Sequence, residues 1–419
     1  MNGKVNGKVN GEVNGKVNGK RPERRAVTVA AICATLAAIG VPIVLHNASS
    51  DDGLRGVAPV STLFASTTSD ASTTSTTKPS PPRTVSIAAV GDWLSETPVN
   101  NAATKLALDG VRYNHVPLLE PLIPLLDSVD LAICHMETPI GLPDARVGEV
   151  SNKNGFTQFV APYEVAADLR AVGFDRCSTA SNHSMDLGID GIDSTLAALD
   201  DAHITHTGTA RTEAEAVPDV FEVNGVKIAH IASTIGSDVG WPKDDWRVNQ
   251  SIPASNVIRD VASARAAGAE LVIVSLHIRA AGGYAPRASE RAQVEEITAQ
   301  SDVDLIVMHG PHTIQPVEIV NGTIVYWSLG NLISGMGEGD GPASDRRRLD
   351  GLMARVQFTE QADGTWAAAA EAILLCNVTG TRVVYPGIST LADPTIDANL
   401  RAKLTACEKR SSRVVADLL

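Results

Sequence analysis

Six short apolar runs constrain this chain more than any other feature: VSIAAVGD, DLAICHMETPI, FDRCSTASNH, KIAHIAST, LVIVSLH and DLIVMHG. Each is rich in β-branched residues and runs into polar ones, so each reads as a strand buried on both faces. Between them lie PYEVAADLRAVG, GIDSTLAALDDAHI, SNVIRDVASARAAG and SERAQVEEITAQS, stretches of helical length, some closed by Gly. Strands alternating with such helices predict an α/β fold with a mainly parallel central sheet.

The polar residues follow the strands. Asp92 ends the first run, Glu137 the second, Asn182 and His183 the third, His277 the fifth, and His309 with His312 the sixth. In an open α/β sheet the loops at the carboxyl ends of the strands form the ligand crevice, so residues far apart in sequence converge there. A single strand-end Asp or Asn is more often a cap or turn residue, and a single His more often surface or core. An Asp, a Glu, an Asn and four His at one end of successive strands is instead an inventory of metal ligands. In His309-Gly-Pro-His312 the proline stiffens a turn that carries two imidazoles.

Ahead of these strands the chain is of another kind. Residues 1–25 repeat Asn-Gly-Lys-Val, carry seven Lys/Arg against two Asp/Glu, and read as a disordered basic tail. Residues 26–45 form an uncharged apolar run of 20, long enough to span a hydrocarbon core of ~30 Å. The basic flank predicts a signal anchor with a cytoplasmic N-terminus, a single pass, and the remainder outside the cell membrane; a cleaved signal peptide is the rival. Residues 46–83, rich in Ser, Thr and Pro, read as a tether. Net charge is −13 although the tail is basic, so the body is more acidic still, which argues against nucleic acid as a partner.

The motifs Gly91-Asp92, Glu137-Thr-Pro-Ile, Ser181-Asn182-His183 with Asp186 and Gly188, Ser275-Leu-His277, His309-Gly-Pro-His312 with Gln315, and Tyr326-Trp-Ser-Leu-Gly330-Asn331 resemble the CapA family. These are poly-γ-glutamate capsule synthesis proteins within the calcineurin-like metallophosphoesterase superfamily. The resemblance covers residues 84 to 335 and extends toward 385. It implies a four-layer α/β/β/α metallophosphoesterase-like sandwich over 84–385, followed by a C-terminal helical tail, 386–419. It also implies a bacterial cell-envelope role with a surface polymer as substrate and polymer synthase or export proteins as partners.

Carried over residue by residue, the resemblance makes Asp92 a metal ligand and Glu137 the carboxylate between two ions. Asn182, His277 and His309 would complete one ion, and His312 would turn to the other. His183 would be the catalytic histidine beside the metals. Carboxylate and imidazole without thiolate suit Mn, Fe or Zn. The chain departs from the pattern at Leu94, where the superfamily's Asp-x-His motif has its His. It departs again at His135, in place of a usual Asn, and at Gly310, in place of a frequent His. Strand alternation puts His135 on the same side as Glu137, which leaves it a compensating ligand or a hydrogen-bonding neighbour.

Arg279 and Tyr284, in the loop after His277, are candidate contacts for a substrate carboxylate or phosphate. Arg346, Arg347 and Arg348 read as a solvated basic turn. Of the five cysteines, Cys134 and Cys177 fall in core strands, while Cys376 and Cys407 flank a segment bent by two prolines and are expected to pair. Two function classes remain: a metal-dependent hydrolase or transferase acting on a surface polymer, and a non-catalytic accessory protein with a degenerate site.

Overall fold

The computed structural model describes residues 81–151, 155–278, 282–338 and 344–415. The basic tail 1–25, the apolar run 26–45, the tether 46–83 up to residue 80, and Arg279 lie outside the described residues. Among the described residues no helix is long and apolar enough to cross a membrane.

Two sheets, rather than one mainly parallel sheet, organise the chain. Across the first the strands run Val384–Pro386, Trp366–Asn377, Asp350–Glu360, Thr84–Trp93, Leu131–Met136, Arg176–Ser178 and Thr205–Thr207, with Asn331–Ile333 also paired to Thr84–Trp93. Across the second they run Val317–Val320, Thr323–Tyr326, Leu305–His309, Leu271–His277, Val226–Thr234 and Val220–Val223. The six apolar runs pair with one another in parallel, for instance His309 opposite His277 and Asp92 opposite His135. The antiparallel part, including the long hairpin Asp350–Glu360/Trp366–Asn377, comes from segments outside those runs.

Side-chain alternation explains the layering. Val85, Ile87 and Ala89 point between the sheets, where they share a core with Ile228, Ile273, Leu305 and Val307 of the second sheet. Ala88 and Val90 point the other way, to Leu118, Leu122, Val165 and Leu169 of the covering helices. On the second sheet Val272, Val274 and Ile306 meet Val257 and Val261 of helix Ser255–Ala266 and Val294 and Ile297 of helix Ala288–Gln300. The result is a mixed α/β architecture with helices outside and the two sheets back to back.

The C-terminal segment packs into the same core. Ala368, Ala370 and Ala372 of the hairpin have small side chains, and Leu404 and Cys407 of helix Ala398–Ser411 share the core with them. Asp397 caps that helix, accepting from the backbone N–H groups of Asn399 and Leu400. The expected Cys376–Cys407 disulfide is present, with Cα atoms 6.0 Å apart. Cys134 and Cys177 are bonded as well; they are register partners on neighbouring strands, with Cα atoms 4.5 Å apart.

Candidate metal centre

The strand-end residues meet in one cleft. Asp92 closes the central strand with no exposed surface, and its backbone N–H donates to Gly330 O at 2.9 Å. That approach is possible because Gly91 has no side chain: a Cβ there would lie 2.2 Å from Gly330 O. One oxygen of Asp92 lies 3.3 Å from His309 Nδ1; the other is 3.1 Å from His312 Nδ1 and accepts from the Gly310 N–H at 3.1 Å. Gly310 has φ +99 and a Cβ there would lie 1.8 Å from Ile278 O, so no side chain fits at the position the resemblance gives to a His. His312 is left-handed at φ 58, a conformation uncommon outside glycine that aims its ring into the cleft.

Glu137, also buried, faces three imidazoles: His312 Nε2 at 3.7 Å, His277 Nε2 at 3.9 Å and His183 Nε2 at 4.0 Å. His277 Nε2 lies 2.7 Å from Asn182 Oδ1. Asn182 Nδ2 donates to Asp238 Oδ2 at 3.0 Å, which fixes the amide with its oxygen toward His277. His183 Nδ1 is held by Asp186 Oδ2 at 2.8 Å, and Asp186 also accepts from the Phe159 N–H. His183 Nε2 is thereby turned to Glu137, with Asp238 at 3.9 Å.

The structure thus brings together Asp92, Glu137, Asn182, His183, His277, His309 and His312. Two groups could each hold a metal ion: Asp92, His135 and His309, and Asp92, Glu137 and His277. Asp92 is common to both groups, and His309 and His312 both approach it. Tyr284 is exposed, with the Arg347 and Arg413 guanidinium groups 4.2 and 5.1 Å from its ring centre. Leu94 is buried and apolar.

A cation fits this donor set. Asp92 Oδ1, both oxygens of Glu137 and His309 Nδ1 are buried without a hydrogen-bond partner. Buried polar atoms are rarely left so unless a ligand satisfies them. Among the protein groups alone, burial drives the Glu137 carboxyl up to about 8 against the pull of His312, with repulsion from Asp92 adding to the rise. Burial would lower His312, but Glu137 and Asp92 outweigh it and raise it to about 9. Burial lowers His277 to about 3, the neutral form a metal ligand needs. Burial opposes protonation of His183 as well, yet the bond from Asp186 prevails and its pKa is raised.

His135 belongs to a relay. Its Nδ1 meets Ser178 Oγ at 2.7 Å, its Nε2 meets His277 Nδ1 at 3.0 Å, and its ring stacks on His309 with centroids 3.9 Å apart. Ser178 Oγ can in turn donate to Cys134 O at 3.4 Å. If His277 Nε2 and Asn182 Oδ1 both bind a cation, His277 must carry its proton on Nδ1 and give it to His135 Nε2. His135 then donates from Nδ1 to Ser178. Every link has a partner in that direction, which suits His135 to orienting His277; its Nε2 also lies 3.9 Å from Asp92, within one of the two candidate groups. Asp238 was invisible in the sequence, since the loop after KIAHIAST carries no motif.

Residues 86–336 match the family described as bacterial capsule synthesis protein PGA_cap. The chain belongs to this family. Within the PGA_cap family the chain is similar to a PGA biosynthesis protein CapA of Bacillus subtilis (strain 168), 29% identical over 172 residues, 40% of this chain and 45% of that protein. It is similar to a capsule biosynthesis protein CapA of Bacillus anthracis, 24% identical over 253 residues, 59% of each chain. A probable polyglutamine synthesis accessory protein of Mycobacterium tuberculosis (strain ATCC 25618 / H37Rv) is 24% identical over 49% of this chain and 56% of its own. The chain therefore spans about half the length of these relatives. Among solved structures, a calcineurin-like phosphoesterase from Bacillus subtilis is 13% identical with TM-score 0.43, over 79% of this chain and 98% of that one. A 5'-nucleotidase precursor from Thermus thermophilus is 14% identical with TM-score 0.40, over 78% and 59%.

Proposed function

We propose that this chain is a membrane-anchored, extracytoplasmic PGA_cap protein that acts in synthesis or export of poly-γ-glutamate or a related surface polymer, as a metal-dependent hydrolase or transferase. The observation that carries the metal is the set of buried carboxylate oxygens facing imidazoles with no protein partner. Asp92 with His309 and His312 would form one ligand set, and Asp92 again, with Glu137, Asn182 and His277, the other. A bound Mn, Fe or Zn ion would supply Lewis acidity toward a carbonyl or phosphoryl oxygen and a nucleophile at neutral pH.

The chain's own residues do the rest. His183, oriented by Asp186 and with its pKa raised, holds a proton on Nε2 at the lip of the cleft, in reach of a leaving group. Asp238 and the His135–Ser178 pair keep Asn182 and His277 in the rotamer and tautomer that face inward. Strand ends hold these groups more rigidly than mobile loops could. The accessory reading draws support from Leu94, an apolar side chain where the superfamily's first motif has a ligand.

Purified full-length chain assayed for bound metal, and for cleavage of generic phosphoester and γ-glutamyl substrates, separates the two. Metal-dependent turnover supports the enzyme; absence of turnover from metal-loaded protein on every substrate supports the accessory role. Reporters fused after residue 83 test the anchor: one active only in the cytoplasm must stay silent.

A further inference from the structure

Beside the cleft three segments distant in sequence meet, two of them carrying arginines and the third Tyr284. Asn331, whose Oδ1 is 3.0 Å from His312 Nδ1, donates from Nδ2 to Arg348 O at 2.8 Å, so the short helix Arg346–Leu349 sits one residue from the ligands. The loop bearing Tyr284 is pinned to the turn after His309: the Gly282 N–H donates to Pro311 O at 2.9 Å, and Thr313 Oγ1 to Gly283 O at 2.8 Å. From the C-terminus, Arg413 donates to the Tyr284 hydroxyl at 3.1 Å and lies over its ring, while Arg347 covers the ring at 4.2 Å. Arg410 and Ser411 anchor that last turn to the buried Asp350 at 2.6 and 2.5 Å.

Charge is not balanced there. Arg347 is compensated by Asp345 and Arg410 by Asp350. Among the described residues Arg346, Arg348 and Arg413 have no carboxylate within ion-pair distance. Arg348 is half-buried, with Nη1 on Met336 Sδ at 3.7 Å and Nε without any partner. By contrast the buried Arg176 and the half-buried Arg265 are paired with acids. Holding guanidinium groups together unpaired is unfavourable, and the chain as a whole has a net charge of −13.

We infer that Arg346 and Arg348, on the short helix beside the ligands, together with Arg413, which lies over Tyr284, form a docking track for a polymer bearing repeated carboxylates, which leads it to the cleft. Guanidinium forks match carboxylates in geometry, and several exposed pairs along a chain add where one alone contributes little. Tyr284 serves as the platform that fixes two of the arginines. The inference rests on the polymer reading above for its choice of carboxylate over other anions.

The test uses the full chain, chelator-treated and metal-loaded, titrated with γ-linked glutamate oligomers, with polyphosphate of similar charge and with a neutral polyglutamine control. Wild type should bind the glutamate oligomer in both metal conditions, more weakly as salt rises. The double variant Arg346→Gln/Arg413→Gln should bind about tenfold more weakly and lose part of the salt dependence. Arg346→Lys/Arg413→Lys, which keeps the charge and loses the fork, should lie between; unchanged thermal melts show that the variants fold. If the Gln variant binds as wild type does, the track is wrong while the polymer reading stands. If wild type binds no glutamate oligomer, both fall. Arginine-dependent binding of polyphosphate alone overturns the carboxylate assignment.

Discussion

Replacing His135 with Ala would leave the His277 Nδ1–H without its partner, because His135 Nε2 lies 3.0 Å from it and no other acceptor among the described residues is bonded to that nitrogen. An orphaned buried donor costs about 1–3 kcal/mol. The ring stacked at 3.9 Å on His309 is lost too, which loosens a second ligand. Loss of an orienting partner of this kind lowers metal affinity about 10- to 100-fold, in line with that cost. His135→Gln keeps an acceptor near His277 and should lose less. The assay is elemental analysis of protein dialysed against saturating metal, followed by titration with a competing chelator. The expected result is full stoichiometry with weakened affinity. A His135→Ala protein that loses one whole equivalent of metal, with the affinity of the remainder unchanged, would refute the relay and make His135 a ligand.

His183→Ala should leave metal content nearly intact and reduce turnover by about 10² to 10⁴, whereas His309→Ala should weaken metal binding and thermal stability together; equal metal loss in the two variants would overturn the division between acid and ligand. Metal uptake should release protons at neutral pH. Glu137 and His312 have pKa values raised to about 8 and about 9, so at neutral pH each holds a proton that the ion must displace. Affinity should then rise about tenfold per pH unit for each proton released, until pH passes those values, and calorimetry giving the same heat in buffers of different ionisation enthalpy would contradict it. Cys376→Ala/Cys407→Ala removes a link across 31 residues and should lower unfolding free energy by about 3–4 kcal/mol through the unfolded chain; a denaturant midpoint that stays put would show the link to be idle.

The parallel strands and their polar ends were legible because buried strands leave unbroken β-branched runs and because Asp92, His277 and His309 stand at or beside a run's last residue and Glu137 directly after the apolar part of its own. Helix ends were legible too, as at Gly173, left-handed at φ 116 after helix Glu164–Val172. The antiparallel hairpin was not, because Trp366–Asn377 alternates buried and half-buried residues in an Ala-rich stretch that carries little strand signal. Nor was the Cys134–Cys177 bond, which depends on strand register rather than on spacing. Asp238 reaches the site from a loop, and the arginines around Tyr284 converge only through tertiary contacts, so neither leaves a periodic trace. Asp186 was readable as a turn residue; its bond to His183 needed coordinates.

The central claim is that the strand-end cleft binds a divalent cation. An anomalous difference map from crystals grown with Mn, and collected near its absorption edge, tests it most directly. The account predicts a peak in contact with Asp92, Glu137 and His277. A map with no peak in the cleft at saturating metal, or with its peak elsewhere in the domain, would contradict it.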